Sequence, residues 1–246
     1  MPQHSLTEKT MSARSAKSLG RTSAAPFTRD GESVAQQILP LGGVLGPAVF
    51  TTLVIVCAAL RPEYSHLNQF ISELGATGTT DASLMNRAGF IPAGALIAGF
   101  GIALIRQLSL GVRSILAGSL IAFFGVGMSL AGFFPCDPGC PQPPTSLAGT
   151  IHDRVSVAAF VAAIAGIGLW AMEFRTRSVW RGIWLYSALA SAASLLFLIA
   201  LATSIDSRSL TGLWQRLLIA TVFGWYAVVA LRLVRLRAPA SNAGTP

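Results

Sequence analysis

His152, with Asp153 and Arg154 beside it, is the residue in this chain best suited to moving a proton. An imidazole titrates near neutral pH, and a carboxylate next to it can fix its tautomer. Asp137 or Asp206 could supply that orienting group or act as a metal ligand, and Ser72 carries a hydroxyl that an adjacent base could activate. Gln69, Glu73 and Arg216 add charged and hydrogen-bonding groups of the kind that hold a polar ligand. These seven residues form one candidate ligand-binding cluster. No known catalytic spacing links them, so none is assigned a catalytic role. Cys136 and Cys140 stand four positions apart in FFPCDPGCP, where prolines and a glycine force a rigid turn. In an oxidising compartment that spacing favours a small disulfide-closed loop over a metal pair. Cys136, Asp137, Cys140 and His152 fit no standard zinc pattern, so neither a metal nor a cofactor is expected. Cys57 falls inside an apolar run and reads as a buried apolar residue.

The elements that carry these residues are set by composition. The chain is 52% hydrophobic and 11% charged, whereas soluble domains carry about 25% charged residues. There is too little polar surface to jacket several helices in water, so lipid is the simpler solvent. A membrane-spanning helix needs about 20 mostly apolar residues. Six runs qualify, at 38–60, 86–105, 114–134, 151–172, 182–203 and 213–233. The fold class is therefore all-α, a polytopic transmembrane bundle of six helices spanning 38–236. Polar, Ser/Thr-rich residues 1–37 read as a disordered cytoplasmic tail, with either Met1 or Met11 as the start, and residues 237–246 as a second such tail.

Of the 18 basic residues, 13 fall in the two tails and the second and fourth loops. The positive-inside rule then places both termini in the cytoplasm and the first, third and fifth loops outside, in a multi-pass protein of the inner (plasma) membrane. The net charge of +8 is dispersed through short loops rather than gathered on one face, which argues against nucleic acid as a partner. Membrane lipids are the expected partners, and self-association is left open. With this topology the candidate cluster gathers at the outer side. The centres of the spans hold hardly any ionisable group, which lowers the case for an ion-driven pump.

In the first loop, Leu67, Phe70, Ile71 and Leu74 recur at helical spacing before Gly75, a natural stop. A short amphipathic helix is expected there, lying in the interface or dipping into the bundle, with His66, Gln69 and Glu73 sharing its other face. Small residues are frequent in the spans, Gly94, Gly99, Gly101, Gly118, Gly125 and Gly127 among them, and close helix packing is the simplest reading of them.

The runs FISELGATGTTDASLMNRAGF (Phe70 to Phe90), FFPCDPGC (Phe133 to Cys140), His152 with Asp153, and GLWQR (Gly212 to Arg216) resemble the prokaryotic membrane-protein family known as domain of unknown function 998. The first run is also distantly similar to the DRAM/Frag family of six-helix membrane proteins, whose members are associated with lipid handling and autophagy regulation. The first resemblance implies a six-helix fold with unassigned biochemistry. Three activities follow as expectations. The first is binding of a lipid headgroup or small polar ligand at the outer cluster. The second is a membrane-embedded lipid hydrolase or transferase using His152 and nearby acids. The third is a small-solute transporter, for which a second span broken at Pro92 would be the main support.

Overall fold

The fold comes from a computed structural model, and the structure describes residues 38–109 and 111–237. The tails expected at 1–37 and 237–246 lie outside these residues, except that the last helix runs on to Arg237. Among the described residues all regular structure is helical. The long helices are α1 (Gly42–Ala59), α2 (Ile91–Leu108), α3 (Val112–Phe133), α4 (Leu147–Thr176), α5 (Trp184–Ser204) and α6 (Thr211–Arg237). Together with the short turns that adjoin them, all six are long and apolar enough to cross a membrane.

Each helix packs on the next in sequence, and α6 returns to α1, so the six form a closed ring of neighbours. Short connections dictate this, because antiparallel helices joined by a few residues have little choice of partner. The second span is unbroken. Helix runs from Ala82 to Leu108, and just ahead of Pro92 the hydrogen-bond ladder slips into a π turn over Met85–Phe90. A proline removes one donor and crowds the preceding turn, and the π turn absorbs that locally. The same turn aims Asn86 at the first loop, where its amide donates to the Gly75 carbonyl at 2.8 Å.

The core is aromatic. Trp170, Phe174, Trp225, Tyr226 and Phe100 are fully buried, with Phe174 stacked between Trp170 and Trp180 at 5.4 and 4.8 Å. Residues facing outward are equally apolar, Leu189, Leu196 and Ile199 on α5 among them, as a helix in lipid requires. Of the small residues of α2 and α3, Gly94, Gly101, Gly118 and Gly125 sit where the two helices meet, while Gly99 faces Leu39 and Gly127 faces Ala159 on α4. A Cβ on Gly94 would strike the Gly125 carbonyl, and one on Gly101 would strike the Ala122 backbone.

The first loop differs from its expected form. Its short helix is present as a five-residue 3-10 helix, Ile71–Gly75, turned into the bundle. Phe70, Ile71 and Leu74 are buried as the spacing predicts, but Leu67 stays exposed. His66 is exposed while Glu73 is buried, so the polar face expected across His66, Gln69 and Glu73 does not exist as one surface.

Candidate functional site

Three loops meet at one end of the bundle: the first (60–81), the disulfide loop (134–146) and the connection between α5 and α6 (205–210). Glu73 is the hub. Its side chain is only 7% exposed, and its carboxylate accepts from the Phe70 amide at 3.0 Å, from Gln69 Nε2 at 2.8 Å and from Arg208 Nη1 at 3.1 Å. Arg208 donates through Nη2 to the Gly139 and Cys140 carbonyls and lies over the Phe70 ring at 4.8 Å. One guanidinium thereby ties all three loops together.

Arg216 ties the first loop to the start of α6. It donates to the Gln69 and Gly212 carbonyls and to the Tyr64 hydroxyl, which in turn donates to the Phe70 carbonyl at 2.9 Å. Burial pushes the Tyr64 phenol up against the opposing pull of Arg216, so the hydroxyl keeps the proton it donates. Beside it Gln215 Oε1 accepts from the Ile71 amide at 2.7 Å.

Asp137 holds the disulfide loop to the start of α4. Its Oδ2 accepts from the Thr145 and Ser146 amides at 2.7 and 3.0 Å, next to the helix N-terminus that Ser146 itself caps. Hydrogen bonding from the Ser146 side chain and the Thr145 amide lowers the carboxyl from 3.8 to about 2. Because the folded value is depressed, its stabilisation is complete above the ordinary value and disappears as pH falls from 3.8 to about 2. The wild-type melting temperature should therefore drop more steeply across that window than that of Asp137→Asn. Parallel slopes would show that the carboxylate contributes nothing there.

Cys136 and Cys140 are joined by a disulfide, with their Cα atoms 5.2 Å apart. It packs on Ser72, whose hydroxyl lies 3.5 Å from the Cys140 sulfur. Below these loops the bundle encloses a cavity of about 360 Å³. Its depths are apolar, lined by Phe50, Phe124, Met128, Phe160 and Phe223, and its mouth is polar, with Ser72, Gln142, His152, Asp153, Ser156 and Gln215. The volume is within the range of about 300–1,000 Å³ typical of small-molecule sites.

His152 is buried at this mouth, with Nδ1 3.1 Å from the Ala131 carbonyl and 2.9 Å from that of Phe134. Carbonyls only accept, so Nδ1 carries the proton, and in the neutral ring Nε2 is the acceptor left for a ligand. The described residues give Nε2 no hydrogen-bond partner. A carboxylate orienter is not what holds the ring: the hydrogen bonds of Asp137 go to Thr145 and Ser146, and Asp206 is exposed.

Of the seven candidate residues, the structure brings Ser72 and His152 to one cavity. Gln69, Glu73 and Arg216 are spent on holding the loops, Asp137 on anchoring the disulfide loop, and Asp206 is exposed and not among the cavity-lining residues. Asp153, Ser156, Gln142 and Gln215 belong to the mouth instead. Ser156 had a readable signal, since it follows His152 by one helical turn on α4 and so shares its face. Among the described residues no group of His, Cys, Asp and Glu could hold a metal ion.

Six membrane-length helices around an amphiphilic cavity make this a multi-pass membrane protein. Residues 44–232 match the family described as Protein of unknown function (DUF998), and the chain belongs to that family. No curated protein and no solved structure matches it.

Proposed function

We propose that the protein binds a lipid-like amphiphile without turning it over, with the apolar part in the cavity and the polar head at His152 and Ser72. The observation that supports this best is the pairing of an apolar cavity of about 360 Å³ with a buried imidazole whose Nε2 is left for a ligand. A site made for a small polar solute would carry polar groups through its depth, and here they stop at the mouth. The site faces outward from the plasma membrane in this reading, with both termini cytoplasmic. The disulfide at the same end favours that side, because such bonds persist in oxidising compartments.

The test is thermal unfolding in lipid nanodiscs against a panel of single-chain and two-chain amphiphiles. At least one should raise the melting temperature by about 5 °C near saturation. His152→Leu should abolish that rise, while Asp206→Asn, altering an exposed residue, should keep it. A flat response across the panel would remove the reading. Release of product from a bound ester, lost in Ser72→Ala, would convert the protein from a binder into a hydrolase.

A further inference from the structure

The head of the ligand is constrained by charge. Asp153 is the only carboxylate or basic side chain apart from His152 among the cavity-lining residues, and no arginine or lysine lines it. The nearby guanidiniums are committed elsewhere: Arg208 to Glu73 and the disulfide loop, Arg216 to Gln69 and Tyr64, and Arg61 to the Glu73 carbonyl. Arg154 borders an adjoining surface depression that shares Gln142 and Asp153 with the mouth, and it is not itself among the cavity-lining residues. An anionic head brought to this mouth would leave water for an apolar site that offers a carboxylate and no fixed cation. A hydroxyl, amide or ammonium would find acceptors in His152 Nε2, Ser156 and Asp153.

Chain number follows from volume. A water occupies about 30 Å³ and a methylene takes a similar space, so a cavity of about 360 Å³ has room for one chain of roughly a dozen carbons.

The route in follows from how α4 and α5 pack. They touch in the half remote from the loops, where Ser191 Oγ donates to the Ile164 carbonyl at 2.9 Å and Gly168 faces Ser191. Toward the loops α4 buries only Gly149, His152 and Ala159 before Ala162. Val157 on α4 and Ala202 on α5 are exposed and also line the cavity, as residues beside a sideways opening between the two helices would be. α5 is also the least held helix, with 22% of its most apolar stretch buried against 44–50% for the other five.

We infer that the ligand is a single-chain amphiphile with an uncharged or cationic head, and that it enters sideways from the lipid leaflet between α4 and α5. This rests on the amphiphile-binding reading and narrows it.

The experiment uses the full chain in phosphatidylcholine liposomes with three photoreactive dodecyl probes that differ only in the head: glycerol ester, amine and phosphate. The glycerol ester and the amine should label peptides covering 127–131 and 152–160, and the phosphate at least about tenfold less, for want of a partner to its charge. Asp153→Asn should reduce labelling by the amine severalfold more than that by the glycerol ester, because it removes the charge and keeps an acceptor oxygen. Ala202→Trp, on an exposed position, should block both without lowering the melting temperature. Equal labelling by the phosphate overturns the assignment of the head, and unimpeded labelling in Ala202→Trp overturns the lateral route. A photoreactive two-chain phosphatidylcholine labelling as strongly overturns the single chain. Absence of cavity labelling by every probe overturns amphiphile binding itself.

Discussion

Replacing Arg208 by alanine is expected to destabilise the protein by about 3 kcal/mol, because it strands a buried carboxylate rather than trimming a surface pair. Glu73 is 7% exposed and Arg208 is 35% exposed, so the charge left behind is the one without access to water. Removing one partner of a buried pair costs about 3–5 kcal/mol, and the part-exposed guanidinium places this case at the low end. Glu73 would retain its bonds from Phe70 and Gln69, but neither donor carries a charge. The mutation also cuts the bonds to Gly139 and Cys140 that hold the disulfide loop over the cavity. Glu73→Gln should cost less, about 1–2 kcal/mol, since it leaves the more exposed member unpaired. In the double variant the two losses should fall short of their sum, because one interaction is being removed twice. Thermal unfolding followed by tryptophan fluorescence gives all three values. An Arg208→Ala protein within about 0.5 kcal/mol of wild type would place the pair with ordinary surface salt bridges and remove Glu73 as the hub.

The contrast between what was legible in the sequence and what was not follows the range of the interactions. The six spans are legible because length and hydropathy are local properties, and α3 at Val112–Phe133 lies within two residues of its expected run. The first loop is not, since its conformation is fixed by partners far along the chain. Ile71 is held by Gln215 across 144 positions, and Glu73 by Arg208 across 135. Helical spacing predicts which of its residues bury, but not that Leu67 is left out or that Glu73 turns inward. The candidate site shows the same division. Topology places Asp206, Arg216 and His152 at one end of the bundle, yet an end is a broad surface, and direction within it is set by packing. His152 faces a cavity, Arg216 is consumed by the Gln69 and Gly212 carbonyls and the Tyr64 hydroxyl, and Asp206 is exposed outside the lining. The mouth residues on α4 are the exception, because a helix fixes direction as well as position, and Ser156 could have been found from His152 alone.

Gly125→Val is expected to have the other large effect, acting through backbone contact instead of charge. At this level α2 and α3 approach so closely that a Cβ on Gly125 would strike the Ala98 amide and the Gly94 carbonyl. These are backbone atoms of a regular helix, which cannot rotate aside as a side chain would. The two helices also share a polar link, the Ser129 hydroxyl donating to the Ile91 carbonyl at 2.9 Å. Helices in lipid associate through such close contact rather than through the hydrophobic effect, so a gap opened here has no compensating gain. Overpacking of a tight core costs about 1–3 kcal/mol and occasionally more, and a blocked helix–helix backbone contact belongs at the upper end. The displacement would carry Phe124 and Met128 with it, and both line the cavity. Amphiphile binding should therefore weaken along with stability, whereas Val126→Ala, on the exposed face of the same helix, should change neither. Gly125→Ala should fall between the two. The measurements are folded yield by size exclusion and the ligand-induced melting shift. A Gly125→Val protein with wild-type yield and an unchanged shift would mean that the two backbones do not meet at Gly125, and the placement of the cavity wall built on α3 would fall with that contact.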